Sequence, residues 1–137
     1  MKDLILKGSE KTPHLELKQN GHFQFMGVSM PEDAATFYFD VIDWISDYYR
    51  SPNAVTKITV RLSYLNSSSE SMLFKIFYAL DRLQRAGKSI VSCDWYYDNE
   101  DCGMENYIQH VKNYAENITI NCIPCNSLED INYSSAS

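Results

Sequence analysis

The sequence predicts an α/β fold: a mixed sheet of about six strands, with an antiparallel ribbon at its N-terminal edge, a parallel second half and about three covering helices. Three observations carry this expectation. An Asn20-Gly21 step joins two alternating segments, the strongest short-range hairpin signal. Strand-like and helix-like periods then alternate three times, which implies parallel pairing through right-handed crossovers. Finally, the chain has 137 residues, 45% of them hydrophobic and 13% aromatic, enough to bury a core without metal or disulfide.

The elements follow in order. Leu4-Ile5-Leu6 is a short first strand, and His14 to Lys18 and His22 to Met26 alternate on either side of the Asn-Gly turn. Ser29-Met30-Pro31-Glu32-Asp33 starts a helix, since proline is tolerated in a first turn and acids there complement the helix dipole. That helix should run from about Pro31 to about Tyr49, with Phe37, Val41, Trp44, Ile45 and Tyr48 at helical steps, and end at Ser51-Pro52-Asn53. Thr56 to Leu65 alternates through Ile58, Val60, Leu62 and Tyr64, a strand. A second helix runs from the Asn66-Ser67-Ser68-Ser69-Glu70 segment to Arg85, with an apolar stripe of Met72, Leu73, Ile76, Phe77, Leu80 and Leu83, and stops at Gly87. Lys88 to Tyr97 is a strand, a third helix runs from the acidic turn at Asp98 to about Tyr114, and Asn117 to Ile123 is the last strand. Residues 1–125 read as a single α/β domain. From Asn126 to Ser137 the chain turns polar and reads as a fraying tail.

The formal charge is −6. An acidic surface repels phosphate backbones and anionic lipid, so neither nucleic acid nor membrane insertion is expected. The apolar part of the N-terminus is too short for a signal peptide and no long apolar run follows, so the expected location is cytoplasmic. The sequons at Asn66, Asn117 and Asn132 then carry no meaning. Cys93, Cys102, Cys122 and Cys125 are expected as thiols. Cys122-Ile-Pro-Cys125 has redox spacing, but redox motifs open a helix, whereas this pair ends a strand. A small thiol protein using Cys122 and Cys125 stays as the alternative. The spacing of Cys93 and Cys102 matches no zinc-ligand pattern.

In open α/β sheets, function gathers where strands end and helices begin. The junction 65–70 sets three hydroxyls at a helix N-terminus, where free N–H groups and the dipole favour an anion. A phosphate on Ser67 is tolerated there, while Ser67-x-x-Glu70 also reads as a capping box that merely starts the helix. Asp98-Asn99-Glu100-Asp101 reads as a solvated acidic helix start, lacking the glycine and distal glutamate of a calcium loop. His14, His22 and His110 belong to no catalytic motif, and no nucleophile elbow, glycine-rich phosphate loop or zinc-protease motif is present. The sequence nominates no catalytic residue, cofactor or metal, and the chain is expected not to be an enzyme.

Four segments in order resemble the SiaC family of bacterial regulatory phosphoproteins. Tyr64-Leu65-Asn66-Ser67-Ser68-Ser69 is similar to that family's Y-L-N-[TS]-S-[ST] segment, with an apolar helix after it. Ser29-Met30-Pro31-Glu32-Asp33 resembles S-Y-P-E-N, Val41-Ile42-Asp43-Trp44-Ile45 the helix that follows it, and Trp95-Tyr96-Tyr97-Asp98 a W-x-Y-[DE] strand end. Serine stands at 67 where threonine is common, Met30 where tyrosine is usual, and the polar C-terminus is longer. The resemblance implies a fold like that of anti-sigma-factor antagonists (STAS-like) and a switch role. In that family a Ser/Thr protein kinase phosphorylates the loop, a PP2C-type phosphatase reverses it, and the unphosphorylated form binds a signalling target, a diguanylate cyclase in the best-known case; the resemblance implies the same partners here. By position the acceptor is Ser67, with Ser68 and Ser69 as adjacent alternatives, and the expected partner face is Asn66, Ser67, Ser68, Pro31, Glu32, Trp95 and Tyr97. A plain interaction module without a switch is a further alternative.

Overall fold

The computed structural model describes residues 1–128. The elements are β1 (Leu4–Leu6), β2 (His14–Leu17), β3 (His22–Ser29), α1 (Ala34–Arg50), β4 (Val55–Leu65), α2 (Ser67–Arg85), β5 (Ile90–Asp98), α3 (Cys102–Tyr114) and β6 (Thr119–Cys125). The six strands lie in sequence order across one sheet. β1, β2 and β3 pair antiparallel, and β3 to β6 pair parallel, as the sequence predicts. Each parallel crossover steps to the next strand in the same direction, so right-handed connections put α1, α2 and α3 on one face. Burial agrees: Ile58, Val60 and Leu62 of β4 are 0–1% exposed, while the alternate Lys57 and Thr59 are not buried.

The core between sheet and helices is rich in aromatic rings. Phe23 meets Trp44 and Tyr48 edge-on at 5.4 and 5.1 Å, and Phe77 stacks on Trp95 at 5.3 Å. Such pairs add about 0.5–1.5 kcal/mol each beyond area burial. Tyr38, not Phe37, is the fully buried ring of the first α1 turns.

Several boundaries differ from the sequence expectation, each for a local reason. α1 starts at Ala34, not Pro31, because Asp33 caps it, accepting the Thr36 N–H at 3.1 Å and the Thr36 hydroxyl at 2.8 Å. β3 runs past Met26 to Ser29 through an irregularity at Gly27/Val28, where Gly27 has φ +104°. β6 starts at Thr119, not Asn117, because the Asp81 carboxylate takes both the backbone and the side-chain N–H of Asn117 at 2.7 and 3.1 Å. It also extends to Cys125. The tail expected to fray from Asn126 falls largely on residues 129–137, outside the described residues, and Leu128 within them is buried.

The β2–β3 turn contains one obligatory glycine. Gly21 has φ +95°, a Cβ there would run into the Val55 carbonyl, and its own carbonyl accepts the Lys57 N–H at 2.8 Å. Gly87 also has positive φ (+71°) but stands in open space. Gly21→Ala should therefore cost about 2 kcal/mol or more, and Gly87→Ala about 1 kcal/mol, in urea unfolding. Equal losses would show that the close approach at Gly21 is not what demands glycine.

Candidate functional site

β4 hands the chain to α2 at the carboxyl edge of the sheet, and Asn66 makes that junction. Its side-chain oxygen accepts the Ser69 N–H at 2.9 Å and its carbonyl accepts the Glu70 N–H at 3.0 Å. Its own N–H donates to the Ser29 carbonyl at 3.0 Å, and its side-chain amide to the Pro31 carbonyl at 3.4 Å. The helix cap is thus Asn66 and not Ser67, which corrects the expected Ser67–Glu70 capping box. The short asparagine carbonyl reaches the third helical N–H as well as a serine does, and it lies one residue earlier.

With the cap elsewhere, the three serines separate. Ser67 and Ser68 are exposed, and Ser69 is 0% exposed. The Ser69 hydroxyl accepts from Ser29 Oγ at 2.8 Å, and Ser29 Oγ is 2.6 Å from the Tyr38 hydroxyl. Burial pushes the Tyr38 phenol up to about 12, with its bonds to Ser29 and Ser69 pulling the other way. Three buried hydroxyls from β3, α1 and α2 therefore satisfy one another under the start of α2. Sequence reading missed this cluster; its only trace is a serine, Ser29, at a buried position of β3.

A groove of about 430 Å³ separates α2 from α3, lined by Ser67, Glu70 and Phe74 on one side and Gly103, Tyr107 and His110 on the other. The Tyr107 hydroxyl donates to the Glu70 carbonyl at 2.7 Å, tying the two helices together. Burial raises the pKa of Glu70 and, with the nearby Glu70 charge, that of Tyr107.

The other residues expected at the partner face lie at different depths. Glu32 is exposed. Pro31 is buried, and Trp95 is 0% exposed, stacked under Phe77. Tyr97 is buried on the helix-covered face, its hydroxyl donating to Glu105 at 2.9 Å. Pro31, Trp95 and Tyr97 are therefore buried and do not present side chains to a partner, a correction that for Trp95 and Tyr97 follows from the inward phase of β5. Asn66, Ser67 and Ser68 open α2, and the Asn66 amide reaches the Pro31 carbonyl next to the exposed Glu32.

The cysteine pair has the wrong geometry for a local bridge. Cys122 and Cys125 lie three residues apart along β6, so they point to opposite faces with Cα atoms about 10 Å apart. A disulfide spans less than about 7 Å. Burial also raises the Cys122 and Cys93 thiols, which disfavours the reactive thiolate. Among the described residues no group of three His, Cys, Asp or Glu side chains is placed to hold a metal, and no helix is long and apolar enough to cross a membrane.

A six-stranded mixed sheet covered by three helices on one face, with a hydroxyl-rich helix start at the carboxyl end of its strands, defines a small α/β protein. The model of the SiaC family regulatory phosphoproteins matches residues 6–125. An uncharacterized protein of Pseudomonas aeruginosa strain UCBPP-PA14 is 30% identical over 102 residues, covering 74% of this chain and 80% of that one. The chain belongs to the SiaC family of regulatory phosphoproteins. The crystal structure of apo-SiaC from Pseudomonas aeruginosa superimposes with a TM-score of 0.81 at 25% identity, covering 90% of this chain and 99% of that one. A chain in the crystal structure of the diguanylate cyclase SiaD in complex with its activator SiaC, from the same organism, has the same fold, with a TM-score of 0.81 at 24% identity over 90% of this chain and 100% of that one.

Two outcomes follow from this geometry. Asn66→Ala should cost about 1 kcal/mol in denaturant unfolding, and Ser67→Ala should stay within about 0.5 kcal/mol. An equal loss for both would return the cap to Ser67. The second concerns pH. Because the folded pKa of Glu70 lies above its unfolded value, the folded state binds the proton more readily, and stability held back at neutral pH is recovered as pH falls through the folded pKa. Glu70→Gln should therefore raise Tm at about pH 7 and leave it unchanged at about pH 3, where the carboxyl is protonated in both states. A gain of equal size at both pH values would contradict this.

Proposed function

We propose that the chain is a phosphorylation-controlled regulator, with Ser67 the acceptor and the edge formed by Asn66, Ser67, Ser68 and Glu32 its partner face. A Ser/Thr protein kinase adds the phosphate, and a PP2C-type phosphatase removes it. The unphosphorylated form binds a signalling target, and the activator role of SiaC toward the diguanylate cyclase SiaD makes such a cyclase the first candidate. The setting is the cytoplasm, and residues 1–125 act as one domain.

One observation carries this reading: Ser67 is exposed and relieved of capping duty, while Ser69 is buried and hydrogen-bonded. A kinase needs a hydroxyl it can reach, and Ser67 and Ser68 supply one. Ser67 has the further property of lining the α2–α3 groove beside Glu70. A phosphate there adds about 1.5–2 negative charges at pH 7. Its position in the first helical turn is compatible with the helix dipole. On the surface, however, it stands beside Glu70 in that groove, so a target that packs on the neutral serine meets a desolvation cost and repulsion.

Phosphopeptide mass spectrometry over residues 61–75, on protein isolated from its native cells, should find phosphate on Ser67 that a PP2C-type phosphatase removes. Ser67→Asp should weaken capture of the target at least about tenfold, a change of about 1.4 kcal/mol, while Ser67→Ala retains it. Absence of phosphate across several growth conditions would sink the reading, and binding indifferent to Ser67→Asp would leave an interaction module without a switch.

A further inference from the structure

The polar cluster beneath α2 is costly to place in a core unless every member is paired, and here the three members pair with one another. Tyr38 and Ser29 are both 0% exposed, as is Ser69. Ser29 gives its single proton to Ser69 at 2.8 Å, so the proton in the 2.6 Å contact between Ser29 and Tyr38 belongs to the phenol. The same segment makes two backbone-level ties: the Asn66 N–H to the Ser29 carbonyl at 3.0 Å and the Asn66 side-chain amide to the Pro31 carbonyl at 3.4 Å. The first turn of α2 is therefore bound to β3 and α1 through hydroxyls and the asparagine, with Ser69 turned inward.

We infer that Tyr38 and Ser29 are positioning residues for the switch: by holding the Ser69 hydroxyl in the core and the first turn of α2 against α1, they restrict modification to the exposed Ser67 and Ser68. The inference rests on Ser67 being the acceptor, and it adds residues that never touch a partner or a phosphate. It explains why three consecutive serines, chemically alike, offer a kinase different hydroxyls. The helical period turns each successive side chain by about 100°, and the third of them points into the hydroxyl cluster.

The test compares Tyr38→Phe and Ser29→Ala with Ile108→Val, a buried α3 change outside the hydroxyl cluster that serves as a control for general destabilisation. Amide hydrogen exchange should accelerate about two- to tenfold at Ser69 and Glu70 in the first two variants, beyond any change at Trp95 in β5, and not in the control. In native cells, phosphate confined to Ser67 in the wild-type chain should appear on Ser69 as well in Ser29→Ala. Exchange at Ser69 and Glu70 that rises no more than in Ile108→Val overturns the positioning role, and an unchanged pattern of phosphate in Ser29→Ala overturns the selection role. A wild-type chain without phosphate sinks the switch reading itself, and the exchange comparison then decides whether the cluster positions the turn.

Discussion

The geometry of the candidate site depends on one junction, where a parallel strand ends and its chain must turn into a helix whose first N–H groups have no partners. Asn66 meets that constraint with four hydrogen bonds, two forward into α2 and two back to β3 and the loop after it. Because the asparagine caps the helix, the serines after it are released from that task. Because it also reaches Ser29 and Pro31, the start of α2 is held against the loop that leads into α1. The exposure of Ser67 and the burial of Ser69 both follow from this placement.

The one-sided sheet sets the rest. All three crossovers run in one direction, so the helices crowd one face and leave the other to polar side chains such as Glu16, Thr59, Asp94 and Asn121, aligned across neighbouring strands. On that face Arg61 lies 4.7 Å over the Tyr96 ring, an arrangement that lets a cation lie flat on the sheet. The edges are blunted in two ways. β1 is only three residues long, and β6 carries Pro124, which has no N–H to offer a further strand. The residues that meet at the carboxyl end of the strands come from different crossovers but from one side of one sheet, and that is why the loop before α1 meets Asn66 at the start of α2.

The fold was legible in the sequence where the signal was local. The Asn20-Gly21 turn, the alternation in β4 and the apolar stripe of α2 each lie within a few residues, and together with crossover handedness they give a mixed sheet with an antiparallel ribbon and a parallel second half, while the order of the strands is read from the structure. What stayed hidden was set by long-range contacts. Ser29 and Ser69 are 40 positions apart, and no pattern on either side announces that they meet. Trp95 offered a misleading sign, because an aromatic residue near a strand end suits an interface and a core equally well; only the phase of β5 decides, and it turns Trp95 inward. Asn66 and Ser67 are both good capping residues, so propensity alone does not separate them, and the tertiary bonds of Asn66 to Ser29 and Pro31 do.

A switch placed at this junction has a particular physical character. A phosphate on the first residue of α2 lies within the turn where the helix dipole favours negative charge, by about 0.3–1 kcal/mol at an exposed site. The Asn66 bonds and the hydroxyl cluster lie on the inner side of the turn and involve no atom of the Ser67 side chain. Modification of Ser67 therefore need not unfold α2 to be felt. The Glu70 carboxylate, already destabilised by burial in the same groove, meets the new charge first, and its repulsion opposes the dipole's attraction. In the proposed switch this balance would leave the domain folded with an altered surface, and a partner docking there would read the signal through charge and desolvation and not through a change of fold.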